Sequence, residues 1–517
     1  MATVTASPII QLHPDDNVVV AKTAFPPGTT ISVTQIELTT RAMIPAGHKI
    51  ASRSISEGEP IRKYGQVIGF ARGAIHPGDH VHTHNVVVSE LTHDYAFSTA
   101  VPEPPAPITG RTFEGYRRAD GRAATRNYVA ILSTVNCSAT TAKYVAQQMT
   151  DTCLADFPNI DGVIALTHKV GCGMEMHGAA HNLLERTLAG FARHPNIAAY
   201  LLIGLGCETA QPSFIVDGYH LVQLGSPGQP RDNAPLVMSI QEQGGVAKTV
   251  KAAKAALMNL LPAANSVQRE PIPVSELILA TECGGSDAYS GIGANPAVGY
   301  ASDLLVAHGG TAILGEVTEM YGAEHMLTRR AVTPEVGQKL IDRIRWWEDY
   351  ARKFGCQIDN NPSVGNKQGG LTTIYEKSLG AIAKGGTTAL QDVYEYAQPV
   401  TQKGFVVMDT PGFDSVSVTG MIAGGANLCV FTTGRGSCFG CKPVPTLKVA
   451  SNTPMFERMT DDMDLNAGRI LEEATVEEVG REIFERLIAV ASGEQTKSEA
   501  QGIGDEEFSP WNIGPIF

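Results

Sequence analysis

The chain has 517 residues, which is too many for one hydrophobic core, so roughly two to four domains are expected. Apolar residues make up 43% and charged residues 18%, and the formal net charge of −13 argues against nucleic acid or an anionic membrane as a partner. No stretch approaches the roughly 20 apolar residues of a membrane span, and the first residues do not resemble a signal peptide. The nine cysteines, an odd number in a large chain, indicate reduced thiols and a cytoplasmic location.

The first part of the chain predicts a small all-β domain over residues 1–92. Short β-patterned runs are separated by Gly and Pro, and no helical pattern interrupts them. The predicted strands are 18–21, 36–38, 49–51, 66–70 and 80–84. A Pro-rich segment centred on 101–107 then predicts a stiff linker over 93–112.

Histidines stand out in this β domain. His80, His82 and His84 alternate along a predicted strand, so their side chains are expected on one face. Three imidazoles there could bind a metal or transfer protons, and the alternative is a solvated polar edge without function. His48 and Tyr64 lie beside predicted turns and are further proton-transfer candidates.

Residues 113–262 predict a parallel α/β domain. A pattern of strand, loop and helix recurs about every 35 to 40 residues. The predicted strands are 128–132, 162–166 and 198–203.

Each of these strands is followed by a loop that carries a cysteine, namely Cys137, Cys172 and Cys207. Because parallel strands end at one edge of a sheet, these thiols could converge, and His168 lies near enough to Cys172 to join them. The alternative is that the cysteines occupy similar positions by coincidence.

The segment 261–273 marks a second domain boundary, and a second α/β domain is predicted over residues 263–517. Its first predicted strand, 277–280, leads into a loop rich in Gly, Ser and Asn that contains Cys283 and Asp287. Ligands of open α/β sheets bind at such carboxyl ends of strands, and free amides at the start of the next helix suit an anion. The sequence therefore predicts a functional site around Cys283.

Polar groups follow the other predicted strands of this domain. Three further strands are predicted at 310–314, 404–408 and 428–431. Glu316 and Glu319 follow the first of them, and Arg435 follows the last. Lys367 lies in another loop dense in Gly and Asn, at 360–370. Lysine and arginine near strand ends favour binding of a carboxylate.

The pair Cys438 and Cys441 has three alternative interpretations. A four-cysteine zinc site would need a second CxxC, and the chain has none. A thioredoxin-like redox pair would lie at a helix start in a different kind of domain. Arg435 and Lys442, which flank the pair, favour an anion-binding loop.

Several motifs resemble the altronate and galactarate dehydratase family over about residues 15 to 517. The β domain resembles the SAF, or β-clip, domain of that family, and the motifs that carry this resemblance are 44–49, 64–69 and 78–85. The motifs of the body are 116–121, 204–208, 283–287, 291–296, 361–367 and 431–436. The resemblance implies a β-clip domain followed by two parallel-sheet α/β domains, with the β-clip domain closing over the catalytic face.

The resemblance also implies loss of water from a sugar acid, giving a 2-keto-3-deoxy product, with Fe²⁺ as cofactor and either a mononuclear site or a cluster. The expected iron ligands are Cys137, His168, Cys172, Cys207, Cys283 and His82. The expected catalytic residues are His48, Tyr64, His84, Asp287, Glu316 and Lys367. The expected substrate contacts are Ser286, Asn295, Glu319, Asn366 and Arg435.

The substrate is less constrained than the family. The histidine segment and the motif 319–324 resemble the altronate branch, so D-altronate is the expected substrate. The segment 436–441 departs from the Gly-Thr-Pro-Tyr-Gly pattern of both branches, which leaves galactarate, or elimination from another 2-hydroxy acid such as sulfolactate, as alternatives. A non-catalytic protein that binds sugar acids is a further alternative. A small-molecule substrate and a homodimer are expected.

Overall fold

The computed structural model describes residues 7–33, 36–89, 95–223 and 234–513. An antiparallel β region comes first, and two parallel sheets flanked by helices follow it. The predicted fold class is thereby confirmed. Among the described residues, no helix combines the length and the apolar composition that a bilayer crossing requires.

The β-clip region consists of short antiparallel strands that form three small sheets, ordered β1-β2-β5-β8, β3-β4 and β6-β7-β9. Its strands are β1 (Ile9–Ile10), β2 (Val18–Ala21), β3 (Thr30–Val33), β4 (Ile36–Thr39), β5 (Lys49–Ala51), β6 (Pro60–Lys63), β7 (Gln66–Ala71), β8 (His80–Val81) and β9 (Val86–Val87). Apolar side chains such as Val19, Ile44 and Ile50 fill its core. As predicted, the described residues of this region form no helix.

The predicted strand 80–84 is wrong beyond Val81. The chain turns after β8, because the amide of His82 donates to Asn85 Oδ1 (2.9 Å) and the amide of Asn85 donates to the His82 carbonyl (2.9 Å). The positions of His82 and His84 therefore come from a turn rather than from the alternation of a strand.

In the middle region, four parallel strands are ordered β13-β12-β14-β15, and a separate antiparallel sheet is ordered β11-β10-β16. The elements are β10 (Thr112–Arg117), β11 (Ala123–Ala124), β12 (Tyr128–Ser133), α1 (Ala139–Thr152), β13 (Gly162–Leu166), α2 (Ala179–Ala192), β14 (Ile197–Gly204), α3 (Pro212–Gly218), β15 (Leu236–Ser239), α4 (Ile240–Gln243), α5 (Val246–Asn265) and β16 (Arg269–Pro273). The stretch 95–111 before it contains no helix or strand.

The C-terminal region is built on seven parallel strands ordered β19-β20-β18-β17-β21-β22-β23. Its first elements are β17 (Ile278–Cys283), α6 (Asn295–Ala307), β18 (Thr311–Leu314), α7 (Glu324–Arg329), α8 (Pro334–Lys353), α9 (Val364–Gln368), α10 (Ile374–Ala381) and β19 (Leu390–Tyr394). The remaining elements are β20 (Gly404–Met408), α11 (Asp414–Ala423), β21 (Leu428–Thr433), β22 (Thr446–Ala450), α12 (Thr453–Arg458), β23 (Leu465–Asn466), α13 (Val476–Ala491) and α14 (Lys497–Ala500). The central strands β20 and β21 are buried along their whole length, as expected for a sheet covered on both faces.

The strand order identifies where a ligand would bind in this sheet. From β17 the chain runs to β18 on one side, whereas β21 lies on the other side of β17 and leads outward to β22 and β23. The carboxyl ends of β17 and β21 therefore flank a topological switch point, where open α/β sheets bind their ligands. Cys283 ends β17 at that point.

A buried ion cluster joins the β-clip region to the C-terminal region. The Glu376 carboxylate accepts hydrogen bonds from Lys49 Nζ (2.8 and 3.0 Å) and from Lys63 Nζ (2.9 Å), and all three side chains are at most 1% exposed. The amide and hydroxyl of Thr372 also donate to Glu376. The two lysines hold the pKa of the Glu376 carboxyl far below its usual value even though burial alone would raise it.

We expect Glu376→Ala to lower the free energy of unfolding by about 3–5 kcal/mol, because it leaves two ammonium groups buried without their counter-charge. The measurement is denaturant-induced unfolding of the full-length protein. Glu59→Ala is the matched control, since the exposed pair of Glu59 with Arg53 in the same region contributes little. Equal midpoints for the two variants would contradict the role assigned to Glu376.

Candidate active site

The switch point holds one thiol and two carboxylates, which we call the Cys283 cluster: Cys283, Glu316 and Glu319. The Cys283 thiol lies 3.4 Å from Glu316 Oε1 and 3.6 Å from Glu319 Oε2. One ligand atom from each residue lies within 4.8 Å of the others, and each residue is at most 2% exposed. Cys283 comes from the end of β17, and the two glutamates follow β18.

Two buried lysines balance the charge of the Cys283 cluster. Lys384 Nζ donates to Glu316 Oε2 (2.6 Å), and Lys377 Nζ donates to Glu319 Oε1 (2.6 Å). Both lysines come from α10 and the short helix after it. Each carboxylate therefore has a buried ammonium partner, although burial outweighs the effect of Lys384 and raises the pKa of the Glu316 carboxyl to about 7.

The titration properties of the thiol and of Lys384 follow from this arrangement. Burial, reinforced by the Glu316 carboxylate, raises the pKa of the Cys283 thiol well above its usual value. Burial alone would lower the pKa of the Lys384 ammonium, but Cys283 and Glu316 outweigh it and raise that pKa. The thiol is consequently protonated at neutral pH unless a bound cation takes the place of its proton.

The backbone of Glu316 is strained. Its φ of 59° lies in the left-handed region, which a side chain of this size rarely adopts. The Glu316 amide donates to Thr410 Oγ1 (2.6 Å), and this bond holds the residue in place. Such a conformation costs on the order of 1–3 kcal/mol and is concentrated at functional sites.

Glu319 is positioned by neighbours on two other loops. Asn361 Nδ2 donates to Glu319 Oε1 (2.7 Å), and Lys377 Nζ also donates to Asn361 Oδ1 (2.9 Å). Gly412, in the loop after β20, allows this approach, because a Cβ there would lie 2.8 Å from Glu319 Oε1. Three separate segments thus fix one carboxylate.

Tyr64 of the β-clip region covers the Cys283 cluster. Together with Cys283, Ser286 and Lys377 it lines a cavity of about 10 Å³, which is at most the space of one water molecule. Asp16 holds the turn of Tyr64, because it accepts hydrogen bonds from the amides of Tyr64 (3.2 Å) and the following glycine (2.8 Å). The predicted closure of the β-clip domain over the catalytic face corresponds to this contact.

Three imidazoles of the β-clip region form a second group, which we call the histidine cluster: His48, His80 and His82. His48 Nδ1 lies 2.9 Å from His80 Nε2, and one ring nitrogen from each of the three lies within 4.8 Å of the others. His48 Nε2 lies 3.1 Å from the Gln368 carbonyl of the C-terminal region. The ring of His84 lies 5.4 Å from that of His80, centroid to centroid.

The polar side-chain groups of three predicted site residues are already engaged in hydrogen bonds within the protein. The Asp287 carboxylate accepts from Ser451 Oγ (2.8 Å) and Asn452 Nδ2 (3.0 Å), among others. Asn295 Nδ2 donates to the Gly380 carbonyl, and Asn366 Nδ2 donates to the Ser286 carbonyl. These side chains shape the walls of the site and have little capacity left for a substrate.

The hydroxyl of Ser286 differs from these three. It is buried and has no hydrogen-bond partner in the described part of the chain. Because Ser286 lines the small cavity beside Cys283, its hydroxyl is available to a ligand there.

The two predicted carboxylate-binding cations lie apart from each other. Arg435 lines a cavity of about 650 Å³ together with Lys22, Arg458 and Asp287. Lys367 lines a different cavity of about 980 Å³. Asp287 also lines the small cavity beside Cys283, so the cavity of Arg435 adjoins the Cys283 cluster.

The predicted ligands of the middle region do not join the Cys283 cluster. Cys137, Cys172 and Cys207 are exposed, and in the described residues no potential metal group contains them. Their loops do meet at one sheet edge, since the Asn136 amide donates to the Val170 carbonyl (3.0 Å) and the Ala210 amide donates to the Gly171 carbonyl (3.0 Å).

His168 has a structural environment. Its Nε2 lies 2.8 Å from the Ser133 carbonyl, and its Nδ1 accepts from the Val170 amide (3.3 Å). Burial lowers its pKa to about 4. Both ring nitrogens are occupied, so His168 does not offer a free ligand atom.

Lys377, Lys384, Glu376 and Asn361 were not predicted from the sequence as site residues. The sequence does contain one signal for the two lysines: they lie seven residues apart in a largely apolar helical stretch, so they share a face. Charged residues on the buried face of a helix are rare unless they are paired. The partner of each lysine depends on the tertiary fold.

Comparison with known families agrees with this architecture. Residues 7–89 match the altronate/galactarate dehydratase SAF domain, residues 115–265 match the second domain of D-galactarate dehydratase/altronate hydrolase, and residues 274–516 match the C-terminal domain of D-galactarate/altronate dehydratase. The chain belongs to the D-galactarate/altronate dehydratase family. The family predicted from the motifs, and with it a hydro-lyase, is confirmed.

Two dehydratases align with nearly the whole chain, and a sulfo-lyase subunit aligns with about three quarters of it. Galactarate dehydratase (L-threo-forming) of Escherichia coli is 40% identical over 98% of this chain and 97% of that protein. Altronate dehydratase of Bacillus subtilis is 36% identical over 95% of this chain and 96% of that protein. The beta subunit of (2R)-sulfolactate sulfo-lyase of Chromohalobacter salexigens is 34% identical over 78% of this chain and 97% of that subunit.

The pairing of Glu316 with Lys384 is testable as a double-mutant cycle. We expect Lys384→Met to lower the free energy of unfolding by about 3–5 kcal/mol, because it leaves the Glu316 carboxylate buried and unpaired. Adding Glu316→Gln removes that charge and should restore a large part of the loss. Denaturant unfolding of the two single variants and the double variant measures the coupling, and strictly additive losses would disprove the pairing.

Proposed function

We propose that this protein removes water from a six-carbon sugar acid and releases a 2-keto-3-deoxy acid, with the chemistry at the Cys283 cluster. The observation that carries the proposal is the convergence of one thiol, two carboxylates and two ammonium groups at the switch point of the C-terminal sheet. The family supplies the reaction class, and the charge arrangement suits it.

Dehydration of a sugar acid needs three things from a protein. A base removes the proton beside the substrate carboxylate, positive groups hold the charge of the enediolate that results, and an acid protonates the departing hydroxyl. Glu316 and Glu319 are the carboxylates available as base. Lys377 and Lys384 are the fixed positive charges.

Tyr64 is our candidate for the acid. It lies across the small cavity from Cys283, on the β-clip side of the site. Burial raises the pKa of its hydroxyl, so the group keeps its proton at neutral pH and can donate it. In this role the β-clip region completes the catalytic group set and also excludes water from it.

The residues of the Cys283 cluster fit Fe²⁺ as the cofactor. A thiolate with two carboxylates is a donor set for a borderline metal rather than for magnesium or calcium, and the hydroxyl of Ser286 is buried nearby without a partner. When bound, iron would supply a Lewis acid for the substrate carboxylate.

Charge balance also favours a cation together with an anionic substrate. With the thiol deprotonated, the cluster has three negative groups facing Lys377 and Lys384. A divalent cation would leave one positive charge in excess, and the carboxylate of a sugar acid would neutralise it.

Access to the site needs an opening, since the cavity beside Cys283 is too small for a sugar acid. We propose entry from the larger cavity that contains Arg435, Lys22 and Arg458, because Asp287 is a common wall of the two. The lining of the larger cavity also contains the carboxylates of Asp287, Glu472 and Glu473, so its three cations would act as direct contacts for an anion and not as a positive field. The homodimer and the cytoplasmic location remain predictions from the sequence.

D-Altronate and D-galactarate are the substrates to compare first. The motifs 78–85 and 319–324 favour altronate, whereas the relative that is 40% identical acts on galactarate. We expect the protein, reconstituted with Fe²⁺ without oxygen, to convert at least one of them, and the measurement is formation of a 2-keto acid. Sulfolactate serves as the test of another leaving group. Absence of product from every hexonate and hexarate would disprove the proposed reaction.

We expect Cys283→Ala to lose bound iron and to lower kcat/KM about 100-fold or more, because it removes the only thiol of the cluster. Iron content and turnover are measured on the same reconstituted samples. Cys438→Ala is the control, since this exposed thiol lies outside the cluster. Full iron content in Cys283→Ala would show that iron binds outside the Cys283 cluster.

A further inference from the structure

The histidine cluster has no role in the proposed reaction, and its geometry calls for a ligand. His48, His80 and His82 come from three places in the β-clip region, namely the residue before β5, the start of β8 and the turn after β8. Their rings nevertheless lie with centroids 4.7 to 5.3 Å apart. A hydrogen bond joins His48 to His80, and three imidazoles with no carboxylate among them are also a donor set that suits a transition-metal ion.

One imidazole of the histidine cluster has an unused ring nitrogen. A neutral imidazole keeps one nitrogen lone pair for a metal ion. The Nδ1 atom of His82 is buried and has no hydrogen-bond partner within the described residues.

The spacing is close to that of a metal site. Two imidazole nitrogens on one tetrahedral metal ion lie about 3.4 Å apart, given metal–nitrogen bonds of about 2.0–2.1 Å. The observed separation between His48 Nδ1 and His80 Nε2 is 2.9 Å, and the nitrogen of His82 lies within 4.8 Å of both. Small rotations of the rings would bring all three nitrogens to one ion.

We propose that His48, His80 and His82 bind one divalent transition-metal ion at the seam between the β-clip and C-terminal regions, separate from the Cys283 cluster. Imidazole suits zinc, iron, cobalt, nickel and copper, and disfavours magnesium and calcium. The two sites share no residue, and the ion cluster of Glu376 with Lys49 and Lys63 is a distinct set of groups at the same seam.

The position of the histidine cluster indicates that a bound metal ion would hold two regions of the protein together. His48 contacts the Gln368 carbonyl, and Gln368 is the neighbour of Lys367 in the C-terminal region. A metal ion that fixes His48 would also fix the β-clip region against this segment. Three protein ligands leave one position of a tetrahedral ion open, and the two lysines that share the single carboxylate of Glu376 favour an anion there.

Cobalt binding to the full-length protein tests the site. The protein is stripped with a chelator and titrated with Co²⁺ without oxygen, while the metal content and the visible absorption of bound cobalt are measured. The variants are His82→Asn, His80→Asn and Cys283→Ala, and His76→Asn is the matched control, because His76 is an exposed histidine of the same region outside the cluster. Far-UV circular dichroism establishes that each variant is folded.

We expect two cobalt ions in the parent protein and in His76→Asn, and one in His82→Asn and His80→Asn. Cobalt should raise the midpoint of thermal unfolding in Cys283→Ala, where only the histidine cluster remains. The proposal is overturned if the His82 and His80 variants bind as much cobalt as the parent. A single ion that is lost only in those two variants would support the histidine site and disprove the iron assignment under Proposed function.

Discussion

The structure depends on one constraint: a charged side chain that is buried away from water needs an oppositely charged partner. Glu376 has Lys49 and Lys63, Glu316 has Lys384, and Glu319 has Lys377. The Glu376 cluster attaches the β-clip region to the C-terminal sheet, whereas the other two pairs set the charge of the Cys283 cluster. Because breaking such a pair leaves an uncompensated buried charge, docking and catalytic geometry are stabilised by the same kind of interaction.

The topology of the C-terminal sheet explains why these charges meet where they do. The end of β17 lies at the switch point, so the loops after β17, β18 and β21 converge on one crevice. The lysines reach it from α10 and the turn that follows, and Tyr64 closes it from the β-clip side. A sheet alone would leave this crevice open to water, and the β-clip region makes it a closed site where fixed charges act strongly.

Elements whose pattern is set by local chemistry were predictable from the sequence. Buried parallel strands such as β13 and β20 have continuous apolar runs, and their boundaries agreed with the structure because no other pattern competes with such a run. The strand predicted at 80–84 was wrong because Asn85 closes a turn there, and such a side-chain contact leaves no periodic signal. The imidazoles still come together, although for a different reason from the one predicted.

The sequence by itself determined the fold class, the family and the residue types of the site, because strand–loop–helix periodicity and the motifs are local properties of the chain. Only the tertiary structure decided which of those residues share a site. It separated Cys137, Cys172 and Cys207 from Cys283, and it added Lys377 and Lys384. The physical reason is that pairing of buried charges acts between segments distant in sequence, and no local pattern records the partner of a charge.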